Sequence, residues 1–261
     1  NTINISSYCI YYVNTTNSLI SNNYVNGSSD VISLGSDSIN NTIQNNEIIA
    51  ESVGIELIYA HNNTISNNNI TAGNTGIDLS NSDNNTISYN HNITSETQKG
   101  ILIVGTSKNN LISNNNITAN TSTILFALAV GDNILLNNKL TAISSNVIRG
   151  IPTAGKTNSL IYNNSFGEIK WDNKSNLTIS ESGTLSLGSG LDITKNNIFV
   201  NSTKFIGLNK PANLTFYSIN LTNLSIGVPR PFKDGSSCAE PDCDNFRNAS
   251  DTYHFSVTGF T

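Results

Sequence analysis

Apolar residues fall along the first two-thirds of this chain in a repeating arrangement. Seven segments share one pattern, an apolar centre flanked by Asn: NSLISNN (17–23), NNTIQNN (40–46), NNTISNN (62–68), NNTISYN (84–90), NNLISNN (109–115), DNILLNN (132–138) and NSLIYNN (158–164). Their centres are Ile20, Ile43, Ile65, Ile87, Ile112, Leu135 and Ile161, at steps of 23, 22, 22, 25, 23 and 26 residues. A second apolar mark follows each centre, and a third precedes it in GIELI (54–58), GIDLS (76–80), GILIV (100–104) and ILFAL (124–128). Each repeat therefore reads as three short alternating strands separated by turns.

A period of this size suits a leucine-rich horseshoe or a parallel β-helix. The horseshoe needs a regular Leu framework and often a helical segment, and neither is present. The pattern predicts an all-β fold, a parallel β-helix over residues 1–166 with about seven coils of 22–26 residues, each stacked ~4.8 Å above the last. After Phe166 the period fails. Residues 167–210 read as a degenerate coil or transition segment, with NNIFVNS (196–202) as a last imperfect turn. Residues 211–261 read as a small β-sandwich-like module with a Cys-bearing loop.

The Asn residues, 46 of 261, gain a structural reason from the alignment. The position three after each centre reads Asn23, Asn46, Asn68, Asn90, Asn115, Asn138 and Asn164 without exception. Asn tolerates the left-handed backbone of a tight corner. Stacked once per coil, each amide also donates to one neighbour and accepts from the other. This column is the expected corner and the expected Asn ladder.

The NNTISNNNI and GI-x-L units of residues 1–165 resemble the right-handed parallel β-helix repeats of the NosD-like and carbohydrate-active β-helix proteins. The whole chain, with its PANLTFY and FSVTGFT tail, resembles archaeal secreted cell-surface β-helix proteins; that resemblance implies a tail continuing past Thr261. NosD-like proteins are associated with copper delivery, which needs Met, Cys or His ligands. There is no Met, and His61, His91 and His254 are scattered, so no cofactor or metal is expected.

Composition narrows the function. Only 12% of residues are charged, the net charge is −5 and no basic cluster occurs, which argues against nucleic acid. No apolar run is long enough to span a bilayer as a helix. Cys238 and Cys243 share one loop and are expected to form a disulfide, while Cys9 is expected to be a buried thiol. Beyond residue 165 lie seven N-x-S/T sites, Asn173, Asn176, Asn201, Asn213, Asn220, Asn223 and Asn248, where chance gives roughly 2–3. N-glycosylation is expected there. No leader is visible, as expected of a mature secreted chain.

Catalysis would need paired carboxylates. Glu56 and Asp78 are the weak candidates: they share an outward position on adjacent coils and would share a proton or hold a cation. The same column is expected to continue through Leu102, Phe126 and Pro152, without a third acid or base. NTGID (74–78) is similar to the NTDGID motif of polygalacturonase-like hydrolases but lacks its first Asp. ILFALAV (124–130) is apolar on both faces and is expected to be covered by the carboxy-terminal module or by another subunit. The first expectation is a non-enzymatic secreted glycoprotein of a cell-surface layer, stalk or filament, self-associating head to tail. The alternatives are a carbohydrate-binding or adhesion protein with an extracellular polysaccharide partner, and a polysaccharide lyase or hydrolase.

Overall fold

A computed structural model describes residues 1–5, 9–128, 130–150, 157–173, 178–219, 232–233, 236–238, 241–249 and 252–260. The chain winds through seven coils of three strands. Coil 3 is typical: Glu47–Ala50 on the first face, Val53–Ile58 on the second and Thr64–Ser66 on the third. Each strand pairs in parallel with its counterparts one coil away, so Ile48, Ile55 and Ile65 stand opposite Ile70, Ile77 and Ile87.

These Ile residues point inward because the strand period alternates sides and only one side is dry. Ile20, Ile43, Ile65, Ile87, Ile112 and Leu135 form one buried stack; Val25, Ile48, Ile70, Ile93, Ile117 and Leu140 form another. The second face adds two inward residues per coil, such as Ile55 with Leu57 and Ile77 with Leu79. A fully buried Ile or Leu contributes ~1.5–3 kcal/mol, and such residues recur in every coil.

In the seventh coil the stack continues through Leu160, which pairs with Leu135; Ile161, expected at that centre, pairs with Leu136 and lies only partly buried. The two repeats differ by one residue in the turn, which sequence similarity alone does not register.

The corners separate two jobs that the sequence reading merged. Left-handed backbone falls three residues before the centre, at Asn17, Asn40, Asn62, Asn84, Asn109 and Asp132. It recurs two residues after it, at Asn22, Asn45, Asn67, Tyr89, Asn114 and Asn137. The following column carries the ladder, not the corner conformation. Asn23 Nδ2 donates to Asn46 Oδ1 at 3.1 Å, and the relay runs on through Asn68, Asn90 and Asn115 to Asn138. Each inner amide also donates to the preceding coil's central carbonyl, as Asn68 does to Ile43 at 2.9 Å. Asn164 does not enter the ladder, because its Nδ2 donates to the Ile193 carbonyl.

A second ladder flanks the other end of the third-face strands. Asn41 donates to Asn63 Oδ1, and Asn85, Asn110, Asn133 and Asn158 form a similar relay. The two halves join where the Asn63 backbone N–H donates to Asn85 Oδ1 at 2.8 Å.

The far end of the coil stack is closed by antiparallel strands. Asn158–Asn164 turns into Gly167–Asn173, which pairs onward with Ala212–Phe216; Thr252–Val257 and Cys243–Ala249 follow, all in the third-face sheet. The first face is extended by Gly183–Leu187, Gly190–Thr194 and Asn197–Val200. The 197–200 strand thus belongs to a hairpin, not to a last imperfect coil. The strands of 211–261 likewise grow from a coil face rather than standing apart. Trp171 is fully buried between these extensions, its Nε1–H donating to the Leu208 carbonyl at 3.2 Å and its ring 5.8 Å from that of Phe260. Among the described residues no helix is long and apolar enough to cross a membrane.

Candidate functional site

The second face brings together the acidic candidates. Its outward column reads Tyr11, Ser33, Glu56, Asp78, Leu102, Leu125 and Arg149 by strand register. The expected Phe126 is instead an inward core residue, because the strand enters the sheet one residue earlier; Pro152 lies outside the described residues. Leu125 is buried within the single chain, whereas Leu128 is exposed, so the apolar strand is covered over only part of its length.

Glu56 and Asp78 stand directly opposite each other, about 4.8 Å apart in the strand-pairing direction. Ser33 Oγ donates to Glu56 Oε2 at 3.0 Å, whereas Asp78 Oδ1 is buried without a hydrogen-bond partner. Burial pushes the Asp78 carboxyl up to about 7, assisted by the Glu56 and Asp30 charges and opposed by Lys99. Burial also raises Glu56; the Ser33 hydrogen bond opposes this and Asp30 adds to it. Neighbouring carboxyls raised by burial are a setting that acid–base chemistry uses. Yet Asp78 Oδ1 is sealed from solvent, and the next outward residue is Leu102.

Sequence reading missed Asp30 and Lys99 as members of this group. Asp30 precedes its strand, and its Oδ1 accepts from the Val53 N–H one coil on. Lys99 opens a strand two coils beyond Val53, opposite Thr75. Their nearness follows from coil register, which the repeat alignment could have supplied.

The remaining candidates are dispersed. Cys238 and Cys243 form a disulfide with Cα atoms 5.7 Å apart. Cys9 lies outside the disulfide as a half-buried thiol whose Sγ–H donates to the Asn26 carbonyl; burial raises its pKa. His61 Nδ1 accepts from the Asp83 N–H, and His254 Nδ1 pairs with Thr215 Oγ1 at 2.8 Å. Asn201 and Asn213 are described with their side chains: Asn201 Oδ1 accepts from Thr203 Oγ1, and Asn213 Oδ1 from Ser256 Oγ. Asn173 and Asn248 lie in strands. Asn176, Asn220 and Asn223 lie outside the described residues.

Residues 1–127, just under half of the chain, match the family described as periplasmic copper-binding protein (NosD). The matched span covers the first five coils and part of the sixth. No curated protein and no solved structure matches the chain. Copper would require converging thiol, thioether or imidazole donors. The chain has no Met, and no three His, Cys, Asp or Glu side chains converge among the described residues. The donor set does not fit that metal.

Proposed function

We propose that this protein is a non-enzymatic, extracellular structural glycoprotein, a β-helical rod that builds a cell-surface layer, stalk or filament by subunit association. The observation that carries the reading is the pair of Asn ladders beside continuous aliphatic stacks. Buried polar groups are committed from coil to coil, which suits a rigid rod, while the Glu56–Asp78 pair is partly sealed. The disulfide and the periplasmic description of the matching family support a location outside the cytoplasm.

Association is proposed at the edge strands Asn197–Val200, where Phe199 is exposed, and Cys243–Ala249. A second copy then pairs along one of these edges. Sedimentation and electron microscopy of purified protein test this: concentration-dependent oligomers or filaments are expected, and a monomer at high concentration defeats it. Polysaccharide cleavage that disappears in Asp78→Asn would instead establish an enzyme.

A further inference from the structure

The outward side of the first face repeats in a way that the fold does not require. In coils 4–6 its strands read Asn-Ile-Thr in one register: Asn69 stands opposite Asn92, Thr71 opposite Thr94, and Thr94 opposite Thr118. Asn116 continues the amide row, and the hydroxyl row runs on through Thr141 to Thr184 of the closing strand Gly183–Leu187. The isoleucines between the rows are buried, so the Asn and Thr side chains take the solvent side. Elsewhere the outward positions vary. The second face runs from Tyr11 through Glu56, Asp78 and Leu102 to Arg149, and the third changes from Thr86 to Leu111 and Ile134.

Stacked coils place the members of each row ~4.8 Å apart, and two residues of strand separate the rows by ~6.6 Å. The result is a two-dimensional array of hydroxyls and amides without an internal charge; Glu47 and Lys139 bound the amide row at its ends. The array is also held in place. Threonine is stiff at χ1, and Thr94 Oγ1 donates to Asn92 Oδ1 at 2.8 Å. Thr141 and Thr184 share a hydrogen bond at 3.0 Å, and Asn116 Nδ2 donates to the His91 carbonyl at 3.3 Å. Asn69, Thr71 and Thr118 lie open or half open to solvent, so water completes their hydrogen bonds.

Waters held on such an array inherit its spacing, and hexagonal ice repeats along two perpendicular axes at distances near these two. We propose that the first face of coils 4–6 binds ice, with the Thr row as the contact and the Asn row fixing the adjoining waters. The threonine methyls exclude disordered water from between the hydroxyls. A dissolved ligand fits less well. Rows that are identical from coil to coil offer no position distinct from its neighbours, and these strands hold neither a charge nor an aromatic ring to anchor a solute.

The full chain would be observed on a single ice crystal held just below its melting point. It would be measured before and after enzymatic removal of N-glycans, because Asn69, Asn92 and Asn116 each open an N-x-T triplet on this face. Thr94→Lys and Thr118→Lys put a charge and a longer side chain into the array; Thr64→Lys makes the same change on the third face. Faceted crystals and a gap between freezing and melting temperatures are expected in the deglycosylated chain. The gap should shrink several-fold in Thr94→Lys and Thr118→Lys and persist in Thr64→Lys. Circular dichroism identifies a variant that has not folded, and Thr71→Lys then takes its place. Three results would each overturn the assignment: unshaped crystals without a gap in both glycan forms, a gap unchanged by the first-face lysines, or an equal loss in Thr64→Lys. Subunit association is read separately by sedimentation, and its failure leaves these readouts standing.

Discussion

Asn68 and its neighbour Asn67 show how much a single position matters. Asn68 is buried, accepts from both the backbone and the side-chain amide of Asn46, and donates to Ile43 and Asn90. Asn68→Ala leaves several of these groups unpaired, each worth ~1–3 kcal/mol. A loss of about 3 kcal/mol is expected by chemical denaturation. Asn67 sits in left-handed backbone and is partly exposed, so Asn67→Gly should change stability by only a few tenths of a kcal/mol. Equal losses at the two positions would refute the division between corner and ladder. Sequence alone exposed both columns as Asn but could not divide them. Amide hydrogen bonding and tolerance of positive φ favour the same residue type, and only the backbone separates the two roles. The second ladder, beginning at Asn41, was hidden for the same reason: one Asn in an NNT triplet looks like another.

At the scale of paired strands, Asp78 and Glu56 make a pH-dependent contact. The folded-state pKa of Asp78, about 7, lies above the ordinary carboxyl value, so folding is favoured while it is protonated. That contribution is complete below pH ~4 and is lost as pH rises through about 7. Stability should therefore decline from pH 5 to pH 8 through this group. Asp78→Asn should flatten the decline and gain on the order of 2–4 kcal/mol at pH 8. A variant with the same pH slope as the parent would show that the pair is not responsible. Here the sequence was informative about adjacency: GIELI and GIDLS align, and the two acids do stand opposite each other. It was silent about burial and about Asp30 and Lys99, because those depend on which residue opens each strand. A related contact limits the preceding glycines. A Cβ on Gly76 would lie 2.5 Å from Ile93 Cγ2 and 2.6 Å from the Gly100 carbonyl oxygen. Gly76→Ala should therefore cost ~1–3 kcal/mol as overpacking, measurable as a lower melting temperature.

Across the whole molecule, stability is the sum of coil terms and the interfaces between neighbouring coils, so an end matters more than its share of residues. The seven coils were readable because an isoleucine period survives every substitution around it. The closing strands were not readable as part of the same sheets, since antiparallel addition leaves no repeat in the sequence and depends on contacts such as Trp171 with Leu208 and Phe260. This end has two fastenings of unequal reach. The Cys238–Cys243 link closes a short loop and contributes about 2 kcal/mol by loop entropy. Trp171 instead packs between the extensions of two coil faces. Reduction should then leave the coils intact and increase hydrogen exchange mainly in Cys243–Ala249 and Thr252–Val257. Trp171→Ala should cost ~3–5 kcal/mol and increase exchange in Gly167–Asn173 and the adjoining last coils. If reduction instead raised exchange uniformly through the Asn ladders, the stack would unfold as one unit, and the closing strands would not be a separable cap.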